Sequence, residues 1–543
     1  MKDGTFRLYG VHENPLPNMR DITLGLNDTT NRGGVVFYAW TDRDGYQGEW
    51  DINQDIIVQG RSDDTRLGVH RYDHNDIVNY NGDIDLSNFA FDGSTLEFRL
   101  TVEDDLGSRR VGGADEYREE MYMNLTGDIT GGNKRIRTLV GQSYYSGLGY
   151  RQWHEPVPGA QPTNEMNQMV FFTMTGSNTG WTGSLEVGNR PGGVSATGLD
   201  FNGPDQDKQH FMRFGQNDGA ATMAIGPSNA VVLRHDATLQ AFGSQVTIGS
   251  LFSDGNQGGT DGYFGSQLVS NSFVENGGTV AGSFTFNHQS NNVVSAIFRD
   301  GTYYSPTTTN LPSAALSLIK DGPGLMALNQ SNYYTGTTTI RGGTLAVDGI
   351  HAGGSGPYSV LDGGLLGGTG IVMSSVQAVG SGGLAPGSID NNGAALYGSL
   401  TIGGNLTLSN ASIVQFDLDG TDITPGGDGL TQNDLVYVTG GLTLDGVLSI
   451  NPVFSFDGPF NTNTDFWTLF LYDGALTDNT LEIDAASQAL VADDGYMFYI
   501  YNYEGGLVDE IRLGIMVPEP STWALLTLGL GLVGWMARRR RRG

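Results

Sequence analysis

The feature that most constrains this chain is the way glycine and asparagine punctuate short β-forming runs. Between Leu316 and Asp348 the sequence reads LSLIKDGPGLMALNQSNYYTGTTTIRGGTLAVD. Its apolar pieces are of strand length, and none is long enough for an ordinary helix. Leu345 and Val347 alternate as inward residues of a strand do, and Gly322 and Gly324 offer positive-φ corners. Asn332 is placed to stack as a ladder with its equivalent in another rung. A rung of this kind cannot bury its own apolar face, so a core exists only when neighbouring rungs stack. Glycine supplies 82 of 543 residues, roughly twice its usual ~7%, and helix propensity is poor almost throughout.

The same style fills the rest of the chain. GGVVFYAW (Gly33 to Trp40), QDIIVQG (Gln54 to Gly60), TLEFRLTV (Thr95 to Val102), MVFFTMTG and QVTIGSLF are strand-sized pieces between turn clusters. Strands at short intervals without intervening helix leave two options, an antiparallel sandwich or a solenoid. Asn-Gly pairs rarely sit between two alternating runs, where hairpins would put them, and the pieces look like loose variants of one another. Phe171 to Val187 reads as a degenerate copy, with Asn178, Thr182, Gly183 and Val187 near the places of Asn332, Thr335, Gly336 and Ile340. The fold expected is all-β, a right-handed parallel β-helix (solenoid) with a single C-terminal transmembrane helix.

Lys320, Gly322, Gly324, Leu328, Asn332, Tyr334, Gly336, Thr338, Ile340, Gly343, Leu345 and Val347 together resemble the autotransporter-associated β-strand repeat. Met326 and Gln330 depart from that pattern, and Pro323 is unusual between the glycines. The resemblance divides the chain. Residues 1–310 are a glycine-rich solenoid of degenerate repeats, and 311–450 the repeat region. Residues 451–516 are the final rungs and an aromatic-rich cap, because a solenoid end needs cover, and 517–543 form a tail. An aromatic carbohydrate-binding platform is the other reading of 451–516.

The tail runs VPEPSTWALLTLGLGLVGWMARRRRRG. Pro518 and Pro520 keep the segment around Glu519 extended. The apolar run holds Trp523, Leu525, Leu528, Leu530, Leu532 and Trp535 before Arg538, Arg539, Arg540, Arg541 and Arg542. From Trp523 to Ala537 a helix would span roughly 22 Å, short of the ~30 Å hydrocarbon core. Snorkelling and bilayer thinning absorb the difference. The arginines stay cytoplasmic by the positive-inside rule. Pro-Glu-Pro, apolar run and basic stop in that order resemble the PEP-CTERM sorting signal of bacterial exosortase substrates. The resemblance implies recognition of Pro518-Glu519-Pro520 by exosortase, cleavage nearby, a transient stay in the inner membrane, then the surface, often alongside exopolysaccharide. The plainer readings are a permanent membrane anchor or a buried helix with a basic end.

Lys and Arg number 29 against 59 Asp and Glu, a formal charge of −30, which repels nucleic acid. Divalent cations or cationic matrix material suit it better. With no cysteine there is neither disulfide nor thiolate metal site. The opening MKDGTFRLYGVHENPLPNMR lacks the apolar core of a signal peptide. The expectation is therefore a start assigned too far downstream, or a fragment whose first rungs are lost.

No constellation singles out chemistry. His70 and His74 have i,i+4 spacing but no helix to carry it, and Asp73 and Asp76 read as solvated. GGDGLTQND (Gly426 to Asp434), near Asp417, Asp419 and Asp422, faintly suggests calcium, but such sites need stacked copies. Nothing selects a glycosidase pair from Asp42, Asp44, Glu49 and Asp51. Lys134, Arg135 and Arg137 read as a solvated strand edge, and no G-x-S-x-G elbow occurs. The expectation is a non-enzymatic, exported adhesion or scaffold protein without metal or cofactor. The alternative is a polysaccharide-binding or polysaccharide-degrading β-helix using the same export route. A passenger with its own C-terminal barrel is set aside, since the chain closes on a helical run instead of alternating strands.

Overall fold

The computed structural model describes residues 4–9, 21–25, 35–40, 49–60, 66–71, 77–90, 98–104, 118–142, 167–188, 208–234, 237–253, 272–303, 311–353, 356–389, 395–419, 433–452, 460–461, 465–504 and 508–518. They form two compact units, residues 1–345 with 349–357, and residues 346–348 with 358–543. Nearly every strand in both pairs in parallel with a strand from the next turn of the chain.

In the first unit, one sheet runs through Gly4–Tyr9, Val35–Trp40, Arg66–Arg71, Phe98–Asp104, Ile136–Gln142, Leu185–Val187, Val231–Leu233 and Leu251–Ser253. A second runs through Glu49–Ile52, Ile77–Tyr80, Arg118–Leu125, Asn167–Met174, Lys208–Phe214, Ala237–Gln240, Phe273–Glu275 and Ile297–Arg299. A third holds Ile22–Leu24, Ile56–Gly60, Ile84–Phe89 and Ile129–Thr130. This is a parallel solenoid.

Parallel register turns period-2 alternation into columns of like residues. Ile22, Ile56, Ile84 and Ile129 are successive partners, and all are buried. Val78, Met123, Phe172, Met212, Leu239, Val274 and Phe298 form a second column, again buried. Full burial of each such side chain contributes roughly 1.5–3 kcal/mol, and only stacking provides it. The other face of the same sheet carries Asn79, Asn124, Thr173, Arg213, Gln240, Glu275 and Arg299 in one register line. Asn124 donates to Asn79 Oδ1 at 2.9 Å, Arg213 to Gln240 at 2.7 Å, and Gln240 and Arg299 both to Glu275 at 2.7 Å. Beside them Tyr122, Phe171 and Phe211 stack with ring centroids 4.8 and 4.7 Å apart. Both faces are therefore close-packed.

Burial on the first sheet likewise corrects the reading of the basic cluster. Arg135 and Arg137 are not a solvated edge. They pair with Glu186, itself fully buried on the adjacent strand and also bound by Arg234 at 2.8 Å. Lys134 donates its Nζ to the Phe89 carbonyl at 2.5 Å. A buried carboxylate is tolerated only with such partners.

In the second unit, Tyr358–Val360, Val376–Ala378, Leu406–Thr407 and Leu442–Pro452 succeed one another in parallel. Ile371–Val372, Ser399–Ile402, Leu435–Val438 and Phe466–Tyr472 do the same. The pairing then changes sense. Asp509–Met516 lies antiparallel between Phe466–Tyr472 and Met497–Tyr503. The helix Ala485–Ala492, capped by Asp484 accepting the Ser487 N–H at 2.6 Å, packs beside this end. Among the described residues no helix is long and apolar enough to cross a membrane. Residues 519–543, with Glu519, Pro520, the apolar run and the arginines, lie outside the described residues.

Candidate functional site

The segment 316–347 makes the corner the sequence suggested, by partly different means. Leu316–Asp321 and Thr338–Ile340 are parallel partners, with Lys320 opposite Ile340. The Lys320 side chain turns inward, where its Nζ donates to the carbonyls of Asp321, Gly322 and Gly342 at 2.8, 2.9 and 2.9 Å. Burial lowers its pKa to about 8, and Asp321 opposes that shift. Gly322 has φ +76°, the left-handed corner expected of glycine. Gly324 does not: its role is close approach, since a Cβ there would lie 2.4 Å from the Ser290 carbonyl oxygen. Asn332 also differs from expectation. Its amide accepts from the Phe298 N–H and donates to the Gln330 carbonyl, both at 2.9 Å, so it braces backbone instead of stacking on another asparagine. Tyr334 is buried, its hydroxyl 2.7 Å from Thr338 Oγ1 and its ring stacked on His351 at 4.1 Å. Met326, Leu345 and Val347 are buried.

The aromatic segment divides between two faces. Trp467, Phe470, Tyr472 and Phe498 point into the core, while Tyr503 is exposed. Tyr499 and Tyr501 stack at 5.2 Å, and the Arg512 guanidinium lies between Phe466 and Tyr503 at 3.9 and 3.6 Å. Arg512 Nε and Nη2 donate to Glu510 at 2.8 and 3.1 Å. Burial pushes the Glu510 carboxyl up, but the Arg512 and Thr468 hydrogen bonds outweigh it and hold it below its ordinary range. Among the described residues, the rings of Trp467, Phe470, Tyr472 and Phe498 are thus buried, and that of Tyr503 is exposed with Arg512 over it. Gln488 plugs one end of the outer strand, donating to the Phe498 carbonyl and accepting its N–H at 2.8 and 3.0 Å. The last strand ends at Met516, and Pro518 follows exposed within two residues.

The remaining candidates scatter. His70 lies on the strand Arg66–Arg71, while His74, Asp73, Asp76, Asp42, Asp44 and Asp422 fall outside the described residues. Glu49 and Asp51 do meet, but at one amide: Asn79 Nδ2 donates to both, at 2.6 and 2.9 Å. Of Gly426 to Asp434 only Asn433 and Asp434 are described. Asp434 accepts the N–H groups of Gly398 and Asp417 at 3.1 and 2.9 Å. Burial pushes its carboxyl up to about 8 against those two bonds, with the Asp417 charge adding to the rise. Among the described residues no group of three or more acids and histidines is arranged to hold a metal.

One repeating corner escaped the sequence reading. Asn79-Tyr-Asn-Gly-Asp-Ile84, Asn124-Leu-Thr-Gly-Asp-Ile129 and Thr173-Met-Thr-Gly-Ser-Asn178 occupy the same corner of successive rungs. Asp55 accepts the Asp83 N–H at 2.9 Å, Asp83 that of Asp128 at 2.8 Å, and Asp128 that of Ser177 at 2.5 Å. The glycine is forced by contact, since a Cβ at Gly127 would sit 2.2 Å from the Gly82 oxygen. Aligning every N/T-x-N/T-G-D/S-x hexapeptide would have revealed this column.

The described strands thus define units of parallel β-solenoid type, the second of which includes the antiparallel strands Met497–Tyr503 and Asp509–Met516. Residues 318–347 match the passenger-associated-transport-repeat, and residues 517–542 match the PEP-CTERM protein-sorting motif. The chain is also 34% identical over 183 residues, 34% of its length, to the adhesin BmaC autotransporter of Brucella suis biovar 1 (strain 1330). It spans 5% of that protein's length. The two motifs carry the signature of an exported surface protein.

Proposed function

We propose that this chain is a non-enzymatic surface or extracellular-matrix scaffold that serves adhesion or spacing. The observation that carries the reading is a passenger-type repeat in a parallel solenoid, joined within one chain to a PEP-CTERM motif. Similarity to an adhesin supports it. Stacked rungs suit such a role, because each rung buries its apolar face against its neighbours alone. In this reading the solenoid is right-handed, as other β-crossovers are. Residues 1–310 would be a glycine-rich solenoid of degenerate repeats, 311–450 the repeat region, 451–516 the final rungs and cap, and 517–543 the sorting signal.

Trp523, Leu525, Leu528, Leu530, Leu532 and Trp535 would line a transmembrane helix, and Arg538 to Arg542 would hold its cytoplasmic end. Exosortase would read Pro518-Glu519-Pro520 in the inner membrane, and the mature chain would reach the surface, with exopolysaccharide as a neighbour there. Attachment of cells producing the intact chain should fall to the level of a deletion strain when Pro518 and Pro520 are both replaced by alanine. Undiminished attachment with the doubly substituted chain at the surface would overturn the sorting step. Undiminished attachment by the deletion strain would overturn the adhesive role.

A further inference from the structure

The cap sheet differs sharply between its two ends. Met497 pairs directly with Met516, whereas Tyr503 pairs with Glu510 at the far end. Direct partners across an antiparallel pair lie on the same face, and the core takes Phe498 and Ile515 on the opposite one. Met497, Met516 and Val517 are exposed by 44%, 38% and 61%. Tyr499 and Phe466 adjoin them, since both pair with Gly514. Arg512, Glu510, Glu504 and Asp509 lie toward the other end. Met516 and Val517 come just before Pro518, the last described residue, and exposed apolar side chains grouped there suit an interfacial partner.

The sequence beyond supplies one. Glu519, Pro520, Ser521 and Thr522 separate Pro518 from the apolar run at Trp523. Five residue steps extend to at most about 18 Å, and a headgroup layer is itself on the order of 5–7 Å thick. With the run inserted, the exit end of the cap is held against the bilayer surface. We propose that Met497, Met516 and Val517 dock on that lipid interface, with Tyr499 at headgroup depth. Tyrosine suits such a boundary, and an apolar face buries just beneath it. Asp493 and Asp494 in the preceding turn make a zwitterionic surface the better partner than an anionic one. The contact is too small to hold without the tail, so removal of the tail releases it. This rests on reading the tail as membrane-inserted.

The chain lacks cysteine, so single labels are clean. Full-length Met497→Cys, Leu528→Cys and Met373→Cys chains, the last exposed by 53% on the same unit, would carry an environment-sensitive fluorophore in phosphatidylcholine vesicles containing nitroxide lipid. The expected result is a several-fold loss of emission and a blue shift at 497 and 528, with 373 unaffected. Adding Met516→Asp should restore much of the emission at 497. A label quenched at 528 but as bright at 497 as at 373 overturns docking and leaves the tail reading intact. A bright label at 528 overturns the tail reading itself.

Discussion

Asn178 shows how the stack is held. Its side chain is 3% exposed, its Oδ1 accepts the Ile129 N–H at 2.5 Å, and its Nδ2 donates to the Ala224 carbonyl at 2.7 Å. One amide thus ties together three rungs. Asn178→Leu keeps the approximate volume and removes both partners at once. Each buried backbone group left unpaired costs roughly 1–3 kcal/mol, so the site should lose about 2–6 kcal/mol. At ~1.4 kcal/mol per tenfold, Ile129 amide exchange should accelerate by at least about 30-fold. Because rungs contact only neighbours, the loss should stay near residues 129, 178 and 224. Hydrogen exchange read by mass spectrometry would resolve it, with exposed Asn53→Leu as a control expected within about 0.5 kcal/mol of the parent. Wild-type protection at Ile129 in a folded Asn178→Leu chain would refute the reasoning. So would deprotection spread evenly over the whole first unit.

Other expectations follow from the same contacts. Gly127→Val should cost on the order of 3 kcal/mol through overpacking against the Gly82 oxygen, seen as new limited-proteolysis cuts near residues 82–130. The buried histidines and Asp434 should answer acid oppositely. Burial lowers His210 and His288 to about 3 and 4 from 6.5, with the Arg137 and Lys320 charges adding to it. Their contribution is therefore full above pH 6.5 and lost as pH falls toward those values. Asp434, raised from 3.8 to about 8, contributes fully below pH 3.8 and loses that contribution as pH rises toward 8. Exchange at pH 4.5 and 7.5, each referred to the intrinsic rate at that pH, should show loosening of the backbone around His210 and His288 and tightening around Asp434 on acidification, and matching responses at these sites would contradict this. A chain ending at Pro518 should keep the cap sheet protected, because Asp509–Met516 is complete before that point.

Most of the solenoid was legible because its rule is local: short alternating runs, glycine corners and pieces that cannot bury themselves. Leu345, Val347 and Gly322 behave as that rule requires. The misreadings came where neighbours decide. Arg135 and Arg137 look solvated in one dimension, and only the adjacent strand brings Glu186 to them. Gly324 and Asn332 act through contacts with residues 290 and 298, which no spacing within the repeat could disclose. The corner of Asp55, Asp83 and Asp128 was readable as a hexapeptide but hidden by unequal rung lengths. Of the sorting motif at 517–542, only Val517 and Pro518 are among the described residues, so the tail's chemistry rests on its sequence and on the family match.

The most direct test is the intact mass of the mature protein from its native host, with and without alanine at Pro518 and Pro520. The account predicts a wild-type mass lacking Trp523 to Gly543, and a doubly substituted chain that retains them. A mature wild-type chain still carrying Arg538 to Arg542 would contradict it and leave a permanent membrane anchor.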